Sequence, residues 1–188
     1  MAVDVDTRAR DNALGTNGVD FDAFCELFSE VPAAVTVVTA RNGDGLPHGT
    51  TVSAFCSLSL NPPLVIVALN RSSDLLPLVE RQGRFGINVL ASGQEELGTA
   101  CACKGPDKLA GTIWRYDSGL PRIEGSAAWL ACDVQDVLDG GDHVIVVGLV
   151  TACEPGEADP LVYHRRNFLR LPNGDGDPAW VAERRAAS

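Results

Sequence analysis

The 188-residue chain is 45% hydrophobic, so it is long and apolar enough to form one domain with a sizeable core. Its formal net charge of −10 argues against nucleic acid or an anionic membrane as a partner, because both repel an acidic surface. No stretch reaches the length of a membrane span, and residues 1–10 contain two aspartates and no apolar core, so we expect neither a membrane anchor nor a secretory signal.

The six cysteines are scattered along the chain and show no disulfide or metal pattern. Cys101 and Cys103 form a C-x-C pair, but no second pair stands at the spacing of a zinc site. A chain of this size does not need disulfides to stabilise its core. We therefore expect a cytoplasmic protein with free thiols and no bound metal.

The first predicted elements follow a polar tail. Residues 1–19 are polar and contain Gly and Asn, and we expect them to form a flexible tail. Apolar residues at helical spacing over 21–28 predict a short amphipathic helix that ends before Pro32. The β-branched stretch 35–40 predicts a strand, and Asn-Gly-Asp-Gly at 42–45 predicts a hairpin turn after it.

The segment HGTTVSAFCSLSLNPP at 48–63 combines a strand pattern with small and hydroxylated side chains. It begins as a strand over 48–55, in which successive side chains point to opposite faces. The small residues leave backbone amides accessible, and the hydroxyls can bond a polar or anionic ligand at close range. Asn-Pro-Pro at 61–63 is expected to end the segment, because proline cannot donate to a sheet ladder. An ordinary Ser/Thr-rich strand without a ligand is the alternative interpretation.

The predicted elements between residues 64 and 102 are a strand over 64–69, a helix from Ser72 or Ser73 to about Arg81, a strand over 85–89 and a helix over 93–102. The first is a continuous apolar run, which is consistent with a strand buried on both faces. Gly83 is expected to end the first helix. The sequence Ser-Gly-Gln-Glu at 92–95 fits a capping box that opens the second helix.

The predicted elements after residue 104 are a loop over 104–125, a long strand from residue 128, a turn at 139–142, a very apolar strand over 143–152 and a short strand over 161–164. Residues 173–188 are predicted to be a second tail, which leaves one domain at 20–172. Strands joined by short turns, with only a few helices, favour a mainly β fold. We predict an antiparallel barrel with peripheral helices and not a doubly wound sheet.

Six motifs, in order along the chain, resemble those of the flavin reductase-like family, whose members supply reduced flavin to partner monooxygenases. They are VTVVTA at 35–40, GTTVSAFCSLSLNPPL at 49–64, GRFGINVL at 83–90, DKLAG at 107–111, GDHVIVVG at 141–148 and PLVYH at 160–164. The resemblance spans roughly residues 21–170. It implies the family's flavin-binding split β-barrel, which is a homodimer with flavin near the subunit interface.

The resemblance also implies a set of cofactor-binding residues. They are Thr50, Thr51, Val52, Ser53 and Ala54 along the edge of the isoalloxazine ring, Ser57 and Ser59 near the ribityl chain and phosphate, Asn70, Arg71, Ser73 and Arg84 on the phosphate side, and Tyr163 near the pocket. For Arg71 and Arg84 the alternative interpretation is a solvated surface ion pair. A strand tyrosine such as Tyr163 is equally a packing residue.

His143 is the one residue for which the resemblance implies a catalytic role. In the family, the GDH motif lies beside the reactive face of the flavin and the nicotinamide pocket, so His143 is also counted among the flavin-binding residues. An imidazole there can orient the nicotinamide or tune flavin protonation near neutral pH. A structural turn residue is the alternative. Lys104 and Lys108 either attract the phosphates of the dinucleotide or belong to an exposed loop.

The function implied by the resemblance is an NAD(P)H:flavin oxidoreductase that reduces FAD or FMN and releases it to a partner monooxygenase by diffusion. FAD and NADH are favoured by family tendency alone. The sequence contains no convincing nucleophile, triad or carboxylate pair, which fits a reaction in which the cofactor carries the hydride chemistry. The alternative is a flavin-binding or carrier protein without catalysis. A barrel of the pyridoxamine-phosphate-oxidase kind fits the six motifs poorly.

Overall fold

The computed structural model of the chain describes residues 18–105 and 108–171. The two predicted tails lie outside the described residues, apart from Gly18 and Val19. In the described part, the elements are α1 (Phe21–Ser29), β1 (Ala33–Ala34), β2 (Thr36–Arg41), β3 (Pro47–Val52), β4 (Phe55–Leu60), β5 (Pro63–Asn70), α2 (Leu76–Gln82), β6 (Arg84–Val89), α3 (Glu95–Ala102), β7 (Trp114–Asp117), β8 (Leu120–Ile123), β9 (Ala128–Gly140), β10 (His143–Pro155), β11 (Leu161–His164) and β12 (Asn167–Arg170). None of the described helices is long and apolar enough to cross a membrane.

A seven-stranded antiparallel sheet forms the centre of the fold, with strand order β3-β2-β6-β9-β10-β5-β4. This confirms the predicted mainly β, antiparallel class with few helices. The two edge strands, β3 and β4, are separated in the chain only by Ser53 and Ala54. Because consecutive Cα atoms are about 3.8 Å apart, the two edges of the sheet must approach each other at this Ser53–Ala54 corner. The sheet is therefore strongly curled, and the two-residue corner connects one edge strand directly to the other.

The main core lies inside this curl. Phe85, Val38 and Val146 are fully buried there, and α2 covers one side of the cluster with Leu76 and Val79. Each large apolar side chain that is removed from water in this way stabilises the fold by roughly 1.5–3 kcal/mol. A second, smaller cluster packs α3 against the other face of β2 through residues such as Val37 and Cys101.

Two short hairpins were not predicted from the sequence. β7 and β8 form a separate two-stranded sheet within the predicted loop 104–125, and β12 pairs with β11. The turn between β7 and β8 places Ser118 and Gly119 at positive φ, which is the hairpin signal that the sequence analysis overlooked. Arg165 and Arg166 also have positive φ in the turn before β12, and two arginines give no turn signal.

Several predicted element ends are wrong. α3 begins at Glu95 with Gln94 as its N-cap, and the Ser92 hydroxyl is buried without a partner, so the predicted capping box does not form. α2 begins after Leu75, and neither of the two serines is its N-cap.

β4 ends at Leu60, so the segment ends before Asn-Pro-Pro at 61–63 as predicted. Pro63 is itself the first residue of β5, a position at which a strand tolerates proline. The strand at 64–69 differs in part from the prediction. Only one face of β5 is fully buried, while the other is half-buried.

Replacing Gly148 with alanine is expected to lower the free energy of unfolding by roughly 1–3 kcal/mol. A Cβ at Gly148 would lie 2.6 Å from Cζ of Phe85 and 3.0 Å from Cβ of Cys132, both of which are fully buried. Urea unfolding of Gly148→Ala measures the loss. Gly43→Ala is the matched control, since a Cβ there meets nothing within 4 Å. Because Phe85→Leu removes the clashing atom, equal losses from Gly148→Ala in the wild-type and Phe85→Leu backgrounds would contradict the explanation.

Candidate functional site

A cavity of about 150 Å³ lies at the Ser53–Ala54 corner, where the edges of the curled sheet meet. It is lined by Thr50, Thr51, Val52, Ser53, Ala54, Ala68, Leu69, Asn70, Ser73 and His143. These residues come from the end of β3, the corner itself, the end of β5, the turn after β5 and the first residue of β10. The cavity thus brings together segments that are separated by up to about ninety residues of chain.

The register of the sheet places His143 beside the β5 end of the cavity. His143 pairs directly with Asn70, and Ile145 pairs with Ala68. The Asn70 side chain accepts hydrogen bonds from the backbone N–H and the hydroxyl of Ser72, at 2.8 and 2.7 Å. These bonds hold the turn that follows β5 and so position the polar end of the cavity.

The hydroxyls of Thr50 and Thr51 fix β3 against α3. Thr51 Oγ1 donates to the carbonyl of Gly98 at 2.7 Å, and Thr50 Oγ1 donates to the carbonyl of Cys101 at 3.4 Å. Their hydroxyl hydrogens are therefore used within the protein, and each hydroxyl retains only acceptor capacity for a ligand. β3 is an edge strand, so part of its backbone polar groups points away from the sheet and is free to meet a planar polar ligand.

The imidazole of His143 is partly exposed and contacts the preceding residue. Its Nδ1 lies 2.7 Å from Oδ1 of Asp142. The hydrogen bond from His143 lowers the pKa of the Asp142 carboxyl below its ordinary value, so this carboxylate is ionised at neutral pH. The GDH motif therefore presents an aspartate–histidine pair at the wall of the cavity.

Arg71 is adjacent to the cavity, but its side chain bonds to residues of the β9–β10 turn. Its Nε donates to the carbonyl of Gly141 at 2.9 Å, and its guanidinium forms an ion pair with Asp139. The backbone N–H of Arg71 also donates to the carbonyl of Asp142 at 3.1 Å. The surface ion pair that the sequence analysis left as the alternative is thus present, and a contact of Arg71 with phosphate remains a prediction.

The other predicted site residues do not line this cavity. Arg84 opens β6, where its Nε lies 2.6 Å from Oδ1 of Asp133. Ser57 and Ser59 lie further along β4, paired with Val65 and Leu64. Tyr163 belongs to the sheet of β1, β11 and β12 and packs edge-on against Phe168.

The sequence analysis missed two residues of the cavity wall and one residue that contacts the wall from behind. Ala68 and Leu69 were predicted only as part of a buried strand, and an apolar run carries no sequence signal for a cavity wall. Asp142 was noted as part of a turn and of the GDH motif but was given no role, and it bonds the imidazole of His143.

A second, more open groove of about 740 Å³ runs beside α3. Lys108 is its one basic lining residue within the described part, and Glu96 and Glu124 also line it. Within the same described residues, no three His, Cys, Asp or Glu side chains are grouped as a metal site.

Comparisons with known proteins point to one family. The family model described as "Flavin reductase like domain" matches residues 28–172. The chain is 39% identical over 159 residues to the "Flavin reductase (NADH)" of Kitasatospora aureofaciens, covering 82% of this chain and 83% of that protein. It is 40% identical over 151 residues to the "4-hydroxyphenylacetate 3-monooxygenase, reductase component" of Thermus thermophilus, covering 80% of this chain and 96% of that protein.

A solved structure shows the same fold. The NADH:FAD oxidoreductase SgcE6 of Streptomyces globisporus C-1027, in complex with NAD and FAD fragments, superposes with a TM-score of 0.77 at 27% sequence identity. The match covers 94% of this chain and all of that chain.

Proposed function

Since this chain belongs to the family of flavin reductase-like domains, we propose from that premise that it oxidises NADH, reduces a flavin and passes the reduced flavin to a separate monooxygenase. Its activity is that of a flavin reductase, with FAD as the favoured flavin, as in the NADH:FAD oxidoreductase named above. We place the catalytic domain at residues 20–172, which contains the matched segment 28–172.

The observation that carries this proposal is the cavity at the Ser53–Ala54 corner. The residues for which the sequence implied contact with the isoalloxazine ring, 50–54, line one wall of that cavity, and His143 lines another. Reduction of a flavin by this site requires residues 50–54 and His143 to reach the same bound ligand. Their convergence arises from the curl of the sheet and is independent of the sequence motifs.

The residues of the cavity fit one edge of a flavin ring. A volume of about 150 Å³ is below the roughly 300–1,000 Å³ of sites that enclose a drug-sized ligand, so the cavity takes only part of the cofactor. The carbonyls of Val52, Ser53 and Ala54 accept from the Thr36 hydroxyl and from the backbone N–H groups of Phe55 and Ala68. The backbone N–H groups at this corner are therefore the ones that bond the polar rim of the ring. The flavin, when bound, supplies the hydride-accepting chemistry. The protein orients the ring against the corner and presents His143 to the nicotinamide.

The remaining part of the cofactor extends beyond the cavity. We propose that Asn70 and Ser73 lead from the cavity toward the phosphate, with Ser57, Ser59 and Arg71 contacting the ribityl chain and phosphate beyond it. Arg84, at the start of β6, and Tyr163, in the sheet of β1, β11 and β12, do not line the cavity, so only an extended portion of the ligand would contact them.

We propose that the fold is a split barrel and that it acts as a homodimer. The outer face of β9, β10 and β5 carries Leu138, Ile145 and Ala68 side by side in register. Leu138 is 47% exposed, so this face presents apolar surface to solvent in the monomer. Ala68 also lines the cavity. A second copy packed on this face would therefore border the flavin site.

The test of function is the consumption of NADH in air with and without added FAD or FMN. A reductase shows turnover that depends on added flavin, with a rate proportional to protein concentration. A flavin-binding protein without catalysis would bind flavin but leave the rate of NADH oxidation at that of free flavin. That outcome would contradict the proposed reaction and favour the carrier.

The flavin is expected to be held weakly. A protein that hands its product to a partner cannot bind it at subnanomolar affinity, because slow dissociation would limit turnover. Purified protein is expected to lose its yellow colour on gel filtration and to regain activity when flavin is added. Stoichiometric flavin retained through gel filtration would contradict release by diffusion.

A further inference from the structure

We propose that Asp142 is a positioning residue that fixes the tautomer of His143, so that Nε2 of the imidazole accepts a hydrogen bond from an amide N–H of a ligand in the cavity. The inference deepens the proposed function and rests on it for the identity of the ligands. Asp142 itself does not line the cavity and acts through its neighbour.

The contact between the two side chains determines where the imidazole carries its proton. His143 Nδ1 and Asp142 Oδ1 are 2.7 Å apart, which is a hydrogen-bond distance. An ionised carboxylate has no hydrogen to donate, so Nδ1 must be the donor. The lowered pKa of Asp142 keeps that carboxylate ionised at neutral pH. When the ring is neutral, Nε2 then has no hydrogen and is an acceptor.

The turn that carries Asp142 is held in place from β5. The carbonyl of Asp142 accepts from the backbone N–H of Arg71, and the carbonyl of Gly141 accepts from Arg71 Nε. The Arg71 guanidinium also pairs with Asp139 on the other side of the turn. These three contacts fix the backbone of Asp142, although its side chain is 85% exposed. The carboxylate is therefore kept within reach of the imidazole without being buried.

With Nε2 of His143 as a hydrogen-bond acceptor at the cavity wall, ligands that present an amide N–H are favoured. Two rings of the proposed reaction carry such a group: the nicotinamide carboxamide and the imide N3–H of the isoalloxazine. Both are neutral N–H donors of the kind that a neutral imidazole nitrogen accepts. The opposite tautomer would place a hydrogen on Nε2 and leave such a donor without a partner.

The tautomer is measured directly in the protein without added ligand. Long-range ¹H–¹⁵N correlation on histidine-labelled protein, at a pH where imidazoles are neutral, is expected to show the Nδ1–H form for His143. Asp142→Asn is expected to populate the Nε2–H form beside the Nδ1–H form, because the asparagine carboxamide can donate to Nδ1 through its NH2 or accept from Nδ1–H through its oxygen. An Nε2–H form in the wild-type protein, or an unchanged tautomer in Asp142→Ala, whose side chain offers no acceptor to Nδ1–H, would overturn the inference.

Ligand affinity gives the second readout and identifies the donor. In Asp142→Asn we expect a rise of about ten-fold either in the dissociation constant for oxidised flavin or in the KM for NADH. The first result assigns the flavin imide to Nε2, and the second assigns the nicotinamide carboxamide. A switched tautomer with neither constant changed would overturn the role of Nε2.

Asp136→Asn is the matched control. Asp136 lies on the same hairpin, is exposed, and accepts from the backbone N–H of Val137 at 2.8 Å. The substitution removes the same charge at a residue that does not contact His143. We therefore expect the His143 tautomer, the flavin dissociation constant and the KM for NADH to stay as in the wild-type protein. If the wild-type protein fails to oxidise NADH with added flavin, the proposed reaction fails separately, and the tautomer and flavin affinity still decide the role of Asp142.

Discussion

Ser53→Leu is expected to abolish measurable flavin binding while the protein stays folded. Ser53 is exposed and lines the cavity at the corner between β3 and β4, so a branched side chain there fills a space of only about 150 Å³. Overpacking usually costs about 1–3 kcal/mol, and more where a rigid ring cannot adjust. We therefore expect the dissociation constant to rise by roughly two orders of magnitude or more, measured by titration of flavin fluorescence.

The fold of this variant is tested separately. Because the Ser53 side chain is not part of the apolar core, the thermal midpoint is expected to stay close to that of the wild type. Ser53→Ala is the companion variant, since it removes the hydroxyl without adding bulk and should weaken binding much less. Unchanged flavin affinity in a folded Ser53→Leu protein would show that the ring binds elsewhere.

His143→Ala is expected to slow hydride transfer more than it weakens flavin binding. His143 opens β10 at the wall of the cavity that we propose meets the nicotinamide. Losing an orienting hydrogen bond of roughly 1–3 kcal/mol slows reduction by about one to two orders of magnitude if the bond forms chiefly in the reactive complex. If the bond is equally strong in the ground state, the loss appears as a higher KM for NADH.

Anaerobic single-turnover reduction separates these two cases, with flavin saturating and NADH varied. His164→Ala is the matched control, because His164 lies on β11, outside the cavity, with its Nε2 4.0 Å from Glu30. We expect its reduction rate to be near that of the wild type. If His143→Ala changes neither the rate nor the NADH dependence, His143 is only a turn residue.

The two variants examine two parts of the lining of one cavity. Ser53 belongs to the wall that is proposed to hold the flavin edge, and His143 to the wall that is proposed to meet the nicotinamide. A cavity that encloses only part of the cofactor agrees with weak binding, since less of the ligand is removed from water. Loss of binding in the first variant and loss of rate in the second would together place the flavin between them.

The sequence by itself determined the elements with strong local patterns. The helix α1 was predicted from its apolar spacing, and the strands β2, β6 and β10 from β-branched or alternating residues. The turn at 42–45 was predicted from its Asn and Gly residues. These elements follow local preferences of the backbone, which are readable without a tertiary structure. The family followed from six motifs in order, and the comparisons confirm it.

Local patterns failed where contacts with distant segments decide the outcome. The box at 92–95 has the residues of a helix cap, yet the side chain of Gln94 bonds Ala91 and the carbonyl of Glu124. β7 and β8 are four residues each and form a hairpin in which Leu120 of β8 packs on Trp129 and Ala131 of the main sheet. Such short strands carry too few residues for a periodic signal.

Only the tertiary structure decided which candidate residues share a site. Residues 50–54 and His143 meet because the curl of the sheet brings the edge strand β3 to the end of β5, to which β10 is paired. Arg84 stands one residue from a motif glycine, but the register of β6 with β9 directs it to Asp133, away from the cavity. The physical reason is that a motif fixes residue types along the chain, whereas strand register and sheet curvature fix their distances in space.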